Sequence, residues 1–398
     1  MKSVSMLRPA IVIPAFNRAG PLLRLLDSLG RACYPQDDIP LIISIDRDST
    51  GHNLEVLSAA EDFSWPYGEK RVILKEDHLG LVKHINWCSS LSKEFGSIIL
   101  LEDDLYLSPV YYTYASQALT VYQNVQQIAG ISLYALWFNG YTHQPFIPLP
   151  DESDIFYLQI PYSQGQAFTG LQWQRYEDWI AQGDYKVRPE DNIHSMFMQF
   201  EAEEWFPTRT KYLVNNDLYY VYPRQSLSTS FGDPGTHFSR PSPFLQASLQ
   251  RYQTEYHFKS LDESAAVYDS FFEMHPNRLA RVVPELEGIS FDVDLYATKK
   301  PHNLRTSSVL TTRGCRSPIL TFAKELWPLE ANLIDGIRGE GISLCKVEDL
   351  KWGRLNDLLV KKKLHDFYSR KRILGKRKSL LFWLVELAER AGIVSALL

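Results

Sequence analysis

Short apolar runs alternate with segments of helical period through the first hundred residues. Ala10-Ile11-Val12-Ile13-Pro14 is wholly apolar, as strands buried on both faces are. Asn17-Arg18-Ala19-Gly20-Pro21 then reads as a turn with proline placed to open a helix, and Leu22, Leu23, Leu25, Leu26 and Leu29 recur at helical spacing. Leu41-Ile42-Ile43-Ser44-Ile45 is a second strand, stopped by Asp46, and Arg71 to Leu74 is a third. His78 and Gly80 precede a helix from about Leu81 to Leu91, and Ser97-Ile98-Ile99-Leu100-Leu101 is a fourth strand that ends in Glu102-Asp103-Asp104. Repeated strand–helix units of this length predict an α/β fold, a mostly parallel sheet flanked by helices with right-handed crossovers. Ligands of such sheets sit beyond the carboxyl ends of the strands. Three strands end there in polar groups: Asn17 with Arg18, Asp46, and Glu102 to Asp104.

After residue 105 the pattern loosens. Pro109 to about Gln126 has helical character, and Ile128 to Leu133 and Ile155 to Ile160 read as strands. Tyr162 to Phe238 mixes aromatic, acidic and glycine residues, and regular alternation is gone from about Ser239. The expected division is therefore an α/β domain over 1–240 and a mostly helical extension over 241–398. Near its end lie the basic clusters Lys361-Lys362-Lys363, Arg370-Lys371-Arg372 and Lys376-Arg377-Lys378, with Asp366 the one acid among them. Ser379 to Leu398 follows as an amphipathic segment. It is either a helix packed on the catalytic domain or a peripheral anchor on an anionic membrane, where basic clusters and a shallow apolar face act together.

Composition narrows the class. With 398 residues, 45% hydrophobic and 22% charged, the chain is globular rather than disordered, and its net charge of -5 gives no bias towards nucleic acid. Cys33, Cys88, Cys315 and Cys345 are far apart in sequence with no C-x-x-C, so neither a disulfide framework nor a zinc knuckle is expected. The N-terminal apolar run is too short for an export signal or a membrane span, which makes a reducing cytoplasm the default location. Aromatics reach 13%, enough for packing and also for stacking on the C–H faces of sugars.

The acidic triplet carries the most chemistry. Three adjacent carboxylates repel one another, and at a strand end they call for a compensating cation. Mn²⁺ or Mg²⁺ suits them, because hard cations take carboxylate and diphosphate oxygens together. Asp46 can accept hydrogen bonds from a base or ribose, or cap the following helix. Lys83 can contact phosphate, or be a solvated helix residue.

In this order, IVIPAFNR, SID, HLGLVKHINW and IILLEDDLYLSP resemble the GT-A glycosyltransferases, including family 2 enzymes. The likeness is closer to N-acetylglucosaminyltransferase I and its relatives, whose features are similar to Glu102-Asp103-Asp104-Leu105, Gly80 to Lys83, Glu203-Glu204-Trp205, and Ser230-Phe231-Gly232 followed by Thr236-His237. It covers roughly residues 9 to 240. The resemblance implies a Rossmann-like GT-A domain using a nucleotide-sugar, with UDP as the nucleotide. Asp104 and His237 would be the metal residues. Pro14, Asn17, Arg18, Asp46, Lys83, Glu102, Asp103 and Thr236 would line the donor, with Asp46 at the base and Thr236 and His237 closing over the diphosphate. Glu203 or Glu204 would deprotonate the acceptor hydroxyl, with Asp178 and Asp191 next in line. The acid pair here is Glu rather than Asp, and the absent anchor points the acceptor away from secretory glycoproteins towards a surface glycan or its lipid-linked precursor.

A positioned carboxylate activates a sugar hydroxyl, and one base opposite the leaving diphosphate gives inversion. Two rivals differ in class. A sugar-nucleotide nucleotidyltransferase shares the strand-end architecture but usually opens with a glycine-rich loop, and Pro14 to Gly20 holds one glycine. A catalytically inactive sugar-binding protein would have no use for the intact triplet.

Overall fold

The structure is a computed structural model, and it describes residues 6–34, 38–48, 53–200, 204–233 and 243–368. In chain order, β1 (Ala10–Ala15) leads to α1 (Ala19–Gly30), β2 (Leu41–Ile45) to α2 (Asn53–Asp62), and β3 (Lys70–Leu74) to α3 (Leu81–Ser90) and the single turn α4 (Ser92–Phe95). β4 (Ser97–Leu100), β5 (Leu105–Leu107), α5 (Tyr111–Tyr122), β6 (Ile128–Ser132), β7 (Ile155–Leu158), β8 (Gln166–Thr169) and α6 (Gly170–Ile180) follow. Then come α7 (Trp205–Asn215), β9 (Tyr219–Pro223), β10 (Ser228–Ser230), β11 (Val267–Tyr268) and α8 (Pro276–Val282). The chain closes with β12 (Asp292–Asp294), β13 (Ser308–Thr311), β14 (Pro318–Phe322), α9 (Ala331–Ile334), β15 (Ile342–Lys346) and α10 (Arg354–Tyr368).

Nine strands form one twisted sheet in the order β11-β7-β9-β6-β8-β4-β1-β2-β3. β4, β1, β2 and β3 run parallel, β8 lies antiparallel between β4 and β6, and β6 and β9 are parallel again. The α/β architecture with a large, mostly parallel sheet flanked by helices is therefore as the alternating pattern predicts. Successive side chains of β1 go to opposite layers, as a period of two requires. Ile11 and Ile13 join the core beneath α1, α2 and α5, while Ala10 and Val12 join the core beneath α3, α6 and α7.

The part beyond residue 240 differs from expectation. It is built on a four-stranded sheet, β12-β13-β15-β14, and not mostly on helices. β11 leaves that part of the chain to pair with β7 at the edge of the large sheet, and the core under α3, α6 and α7 continues through Tyr268, Leu279, Val293 and Leu344. Cys345 of β15 forms a disulfide with Cys315 in the connection between β13 and β14, with Cα atoms 6.3 Å apart, which corrects the reading of four isolated cysteines. The cause is the fold of this sheet: β15 lies between β13 and β14, so the connection that joins those two strands crosses over its end. Among the described residues no helix is long and apolar enough to cross a membrane. Lys361 to Lys363 lie on α10, whereas the two later basic clusters and Ser379 to Leu398 fall outside the described residues.

Candidate active site

The carboxyl ends of β1, β2 and β4 lie side by side, so the three polar strand ends meet at one edge. Pro14 shapes that edge. Leu101 N–H donates to Val12 O (2.9 Å), and the next bond of this ladder would need an N–H at residue 14, which proline lacks. The β1–β4 pairing stops there, and the chain leaves the sheet into Glu102-Asp103-Asp104.

Arg18, at the N-cap of α1, reaches across to the triplet. One guanidinium nitrogen bonds Asp103 Oδ1 and lies 3.2 Å from Asp104 Oδ2. One cation thus faces three carboxyl groups. Burial, then the charges of Asp104 and Asp103, drive Glu102 strongly towards its protonated form. Burial raises Asp103 to about 6 against the opposing pull of Arg18. Asp104 Oδ1 is buried with no hydrogen-bond partner. An orphaned oxygen in an excess of negative charge is the arrangement a hard divalent cation satisfies. Among the described residues no three His, Cys, Asp or Glu side chains are disposed as a ligand set.

Asp46 is only 3% exposed, and its carboxylate is committed to backbone. Oδ1 accepts from Leu79 N–H (2.8 Å) and Arg47 N–H (3.0 Å), and Oδ2 accepts from Gly80 N–H (2.9 Å) with His78 Nδ1 at 3.0 Å. Asp46 therefore ties the end of β2 to the loop that opens α3, a partnership with no mark in the sequence pattern. Below it, Ser44 Oγ lies 2.7 Å from His84 Nε2, and burial lowers His84 to about 4, so the ring is neutral. Lys83 is exposed on the first turn of α3, and Asn17 Nδ2 donates to Asp48 Oδ2 at 3.4 Å.

The second wall comes from β5 and β10. Their antiparallel pairing sets Ser230 opposite Leu105, next to Asp104, and so delivers Ser230-Phe231-Gly232 to the site. Phe231 meets Tyr106 edge-on at 5.7 Å, Arg24 lies over its ring at 4.8 Å, and Arg24 pairs with Asp233. Thr236 and His237 lie outside the described residues, as does Glu203.

Glu204 is the half-buried N-cap residue of α7 and makes no side-chain cap bond. Two residues on, Phe206 packs edge-on against Tyr162 at 6.2 Å. Further along α7, Arg209 meets Gln166, which pairs with Leu100 at the end of β4, so this helix passes the strand end that leads into the triplet. Arg209, 3% exposed, fixes this helix in place. Its guanidinium lies within 5.3 Å of the rings of Trp173, Trp205 and Tyr176 and contacts Gln166 Oε1 and Ser89 Oγ at 3.3 Å. The two reserve acids are otherwise engaged: Asp191 pairs with buried Lys211 at 3.1 Å, and Asp178 accepts from Gln174 on the exposed side of α6. Arg24 and Tyr162 were missed from the sequence. Arg24 faces the site across α1 from its leucines, so polar positions of that helix were the available signal.

Comparison with known proteins gives a partial match. The family described as the SPBC1E8.03c C-terminal domain matches residues 20–187, less than half of the chain. No curated protein matches the chain by sequence. Among solved structures it is similar to a mannosyltransferase, PcManGT from Pyrobaculum calidifontis, in complex with GDP-Man and Mn²⁺. There the identity is 13% and the TM-score 0.30, over 45% of this chain and 49% of that one. It is also similar to S. aureus TarS 1-349 in complex with UDP-GlcNAc, with 11% identity and a TM-score of 0.36 over 58% of this chain and 60% of that one. The chain spans less than two thirds of the length of either structure.

Proposed function

We propose that this chain is a metal-dependent, inverting glycosyltransferase that moves a sugar from a nucleotide-sugar, UDP being the expected nucleotide, to a hydroxyl of a glycan or lipid-linked acceptor. The observation that carries the reading is the orphaned Asp104 oxygen, set among Glu102 and Asp103 with Arg18, among the described residues, the one cation bonded to the triplet. Asp104 would hold Mn²⁺ or Mg²⁺, with diphosphate and water oxygens completing its shell, and the ion would neutralise charge on the leaving diphosphate. Arg18 orients the triplet and adds positive charge at the N-terminus of α1, where the helix dipole also favours an anion. Glu204, or Glu203 before it in the sequence, would take the acceptor proton; the start of α7 beside the aromatic wall of the site supports this role for Glu204. Thr236 and His237 follow a segment already held against the triplet, which suits the closing role assigned to them.

Calorimetry with UDP, with and without Mn²⁺, tests this. Wild-type protein should bind UDP at least tenfold more tightly with the metal. Asp104→Ala should abolish that difference and keep the wild-type circular dichroism. Equal UDP affinity with and without metal in the wild type would sink the reading.

A further inference from the structure

We propose that Trp137 and Phe244 form the platform on which the acceptor rests, and that the acceptor is a carbohydrate offering the C–H face of a pyranose. This deepens the transferase reading and rests on it. The placement follows from the sheet. Gln166, at the entry of β8, lies opposite Leu100 of β4 on one side and Ser132 of β6 on the other. β4 and β6 therefore leave the sheet at the same edge, about two strand spacings or 10 Å apart. From β4 the chain continues into the acidic triplet. From β6 it continues through Tyr134-Ala135-Leu136-Trp137-Phe138.

This second exit ends in an exposed aromatic surface. Trp137 is 42% exposed, while its neighbour Phe138 is buried and packs on Phe244 at 4.2 Å. Trp137 and Phe244 have ring centroids 6.3 Å apart, and exposed His143 lies 5.3 Å from Phe244 and supplies a polar rim. The aromatic contacts run from this surface back to the strand end: Phe138 contacts Tyr162 at 6.4 Å, and Tyr162 stacks at 5.5 Å on Tyr134, two residues past the end of β6.

The backbone that presents Trp137 is fixed. Phe146 N–H donates to Trp137 O (2.9 Å), Asn139 N–H to Gln144 O (2.8 Å), and Tyr141 N–H to Asn139 Oδ1 (2.9 Å). A large indole held exposed on a rigid hairpin gains nothing from water. A flat ring with a polar rim suits a sugar, whose axial C–H groups meet the ring while its hydroxyls reach the rim. An acyl chain would instead need a closed apolar groove, and the open face beside His143 is not one.

The test is saturation-transfer NMR and calorimetry on the full chain with UDP and Mn²⁺ present. The probes are three neutral tetrasaccharides: β-1,4-glucose, β-1,4-N-acetylglucosamine and α-1,4-glucose. At least one should bind the wild type. Trp137→Ala should weaken that binding about tenfold, with UDP affinity and thermal midpoint unchanged, and Trp137→Phe should recover most of it. Binding of none of the three, or equal binding by Trp137→Ala, overturns the platform. The transferase reading fails separately, through absence of UDP binding in the wild type. Loss of saccharide binding in Trp137→Ala would still assign the carbohydrate surface in that case.

Discussion

Gly80 sits at φ 76° and ψ 165°, a region that side chains other than glycine's hardly enter, and its N–H is one of three that Asp46 accepts. No atom stands near the position a Cβ would take, so the requirement is purely conformational. Gly80→Ala should therefore cost about 1–3 kcal/mol of stability through backbone strain. Urea unfolding measures it, and a cost below about 0.5 kcal/mol would show that the loop relaxes without penalty. Asp46 was legible as a polar strand end, but its true partners were not. Two of the three donors lie more than thirty residues on, in a loop whose only sequence mark is one glycine before a helix. Asp104 was easier to read, because the apolar strand before it fixes where it emerges.

The strands of the first hundred residues were legible almost to the residue, since β1, β2 and β4 are buried on both faces and end in polar groups, whereas α2, whose apolar stripe is weak, went unread. The elements beyond β11 were not legible. Strands such as β12 and β13 are three or four residues long with polar positions among them, too short for a period to register. The disulfide is a property of that hidden pairing. Unfolded without reductant, the chain should show the two thiols of Cys33 and Cys88, and four after reduction. Closing a loop of this length contributes about 3 kcal/mol in the chain-entropy account, so Cys315→Ser with Cys345→Ser should lower stability by that order. Four reactive thiols before reduction would remove the cross-link.

Across the whole molecule, the smaller sheet and the large one share one core through Tyr268, Val293 and Leu344. Glu330, 5% exposed at the start of α9, is buried against it between Leu329 and Leu333. Burial raises its carboxyl to about 7. The native state thus holds a proton that the unfolded chain releases, and stability falls as pH rises from about 4.5 to 7. Glu330→Gln should reduce that slope by one proton's share, leaving the part due to Glu102 and Asp103, and stabilise the protein at pH 8 by on the order of 3 kcal/mol, read from denaturant midpoints across pH. An unchanged slope would place the titration elsewhere. The order of strands in the large sheet bears on how the chain is made. β6 cannot close onto β4 until β8 arrives between them, and β7 has no partner until β9 does. During synthesis the parallel block of β1 to β4 can assemble from its own residues, while β6 and β7 wait with open edges. Ribosome stalling just before residue 166 would leave those edges bare, and at that point of its making the chain depends most on chaperones.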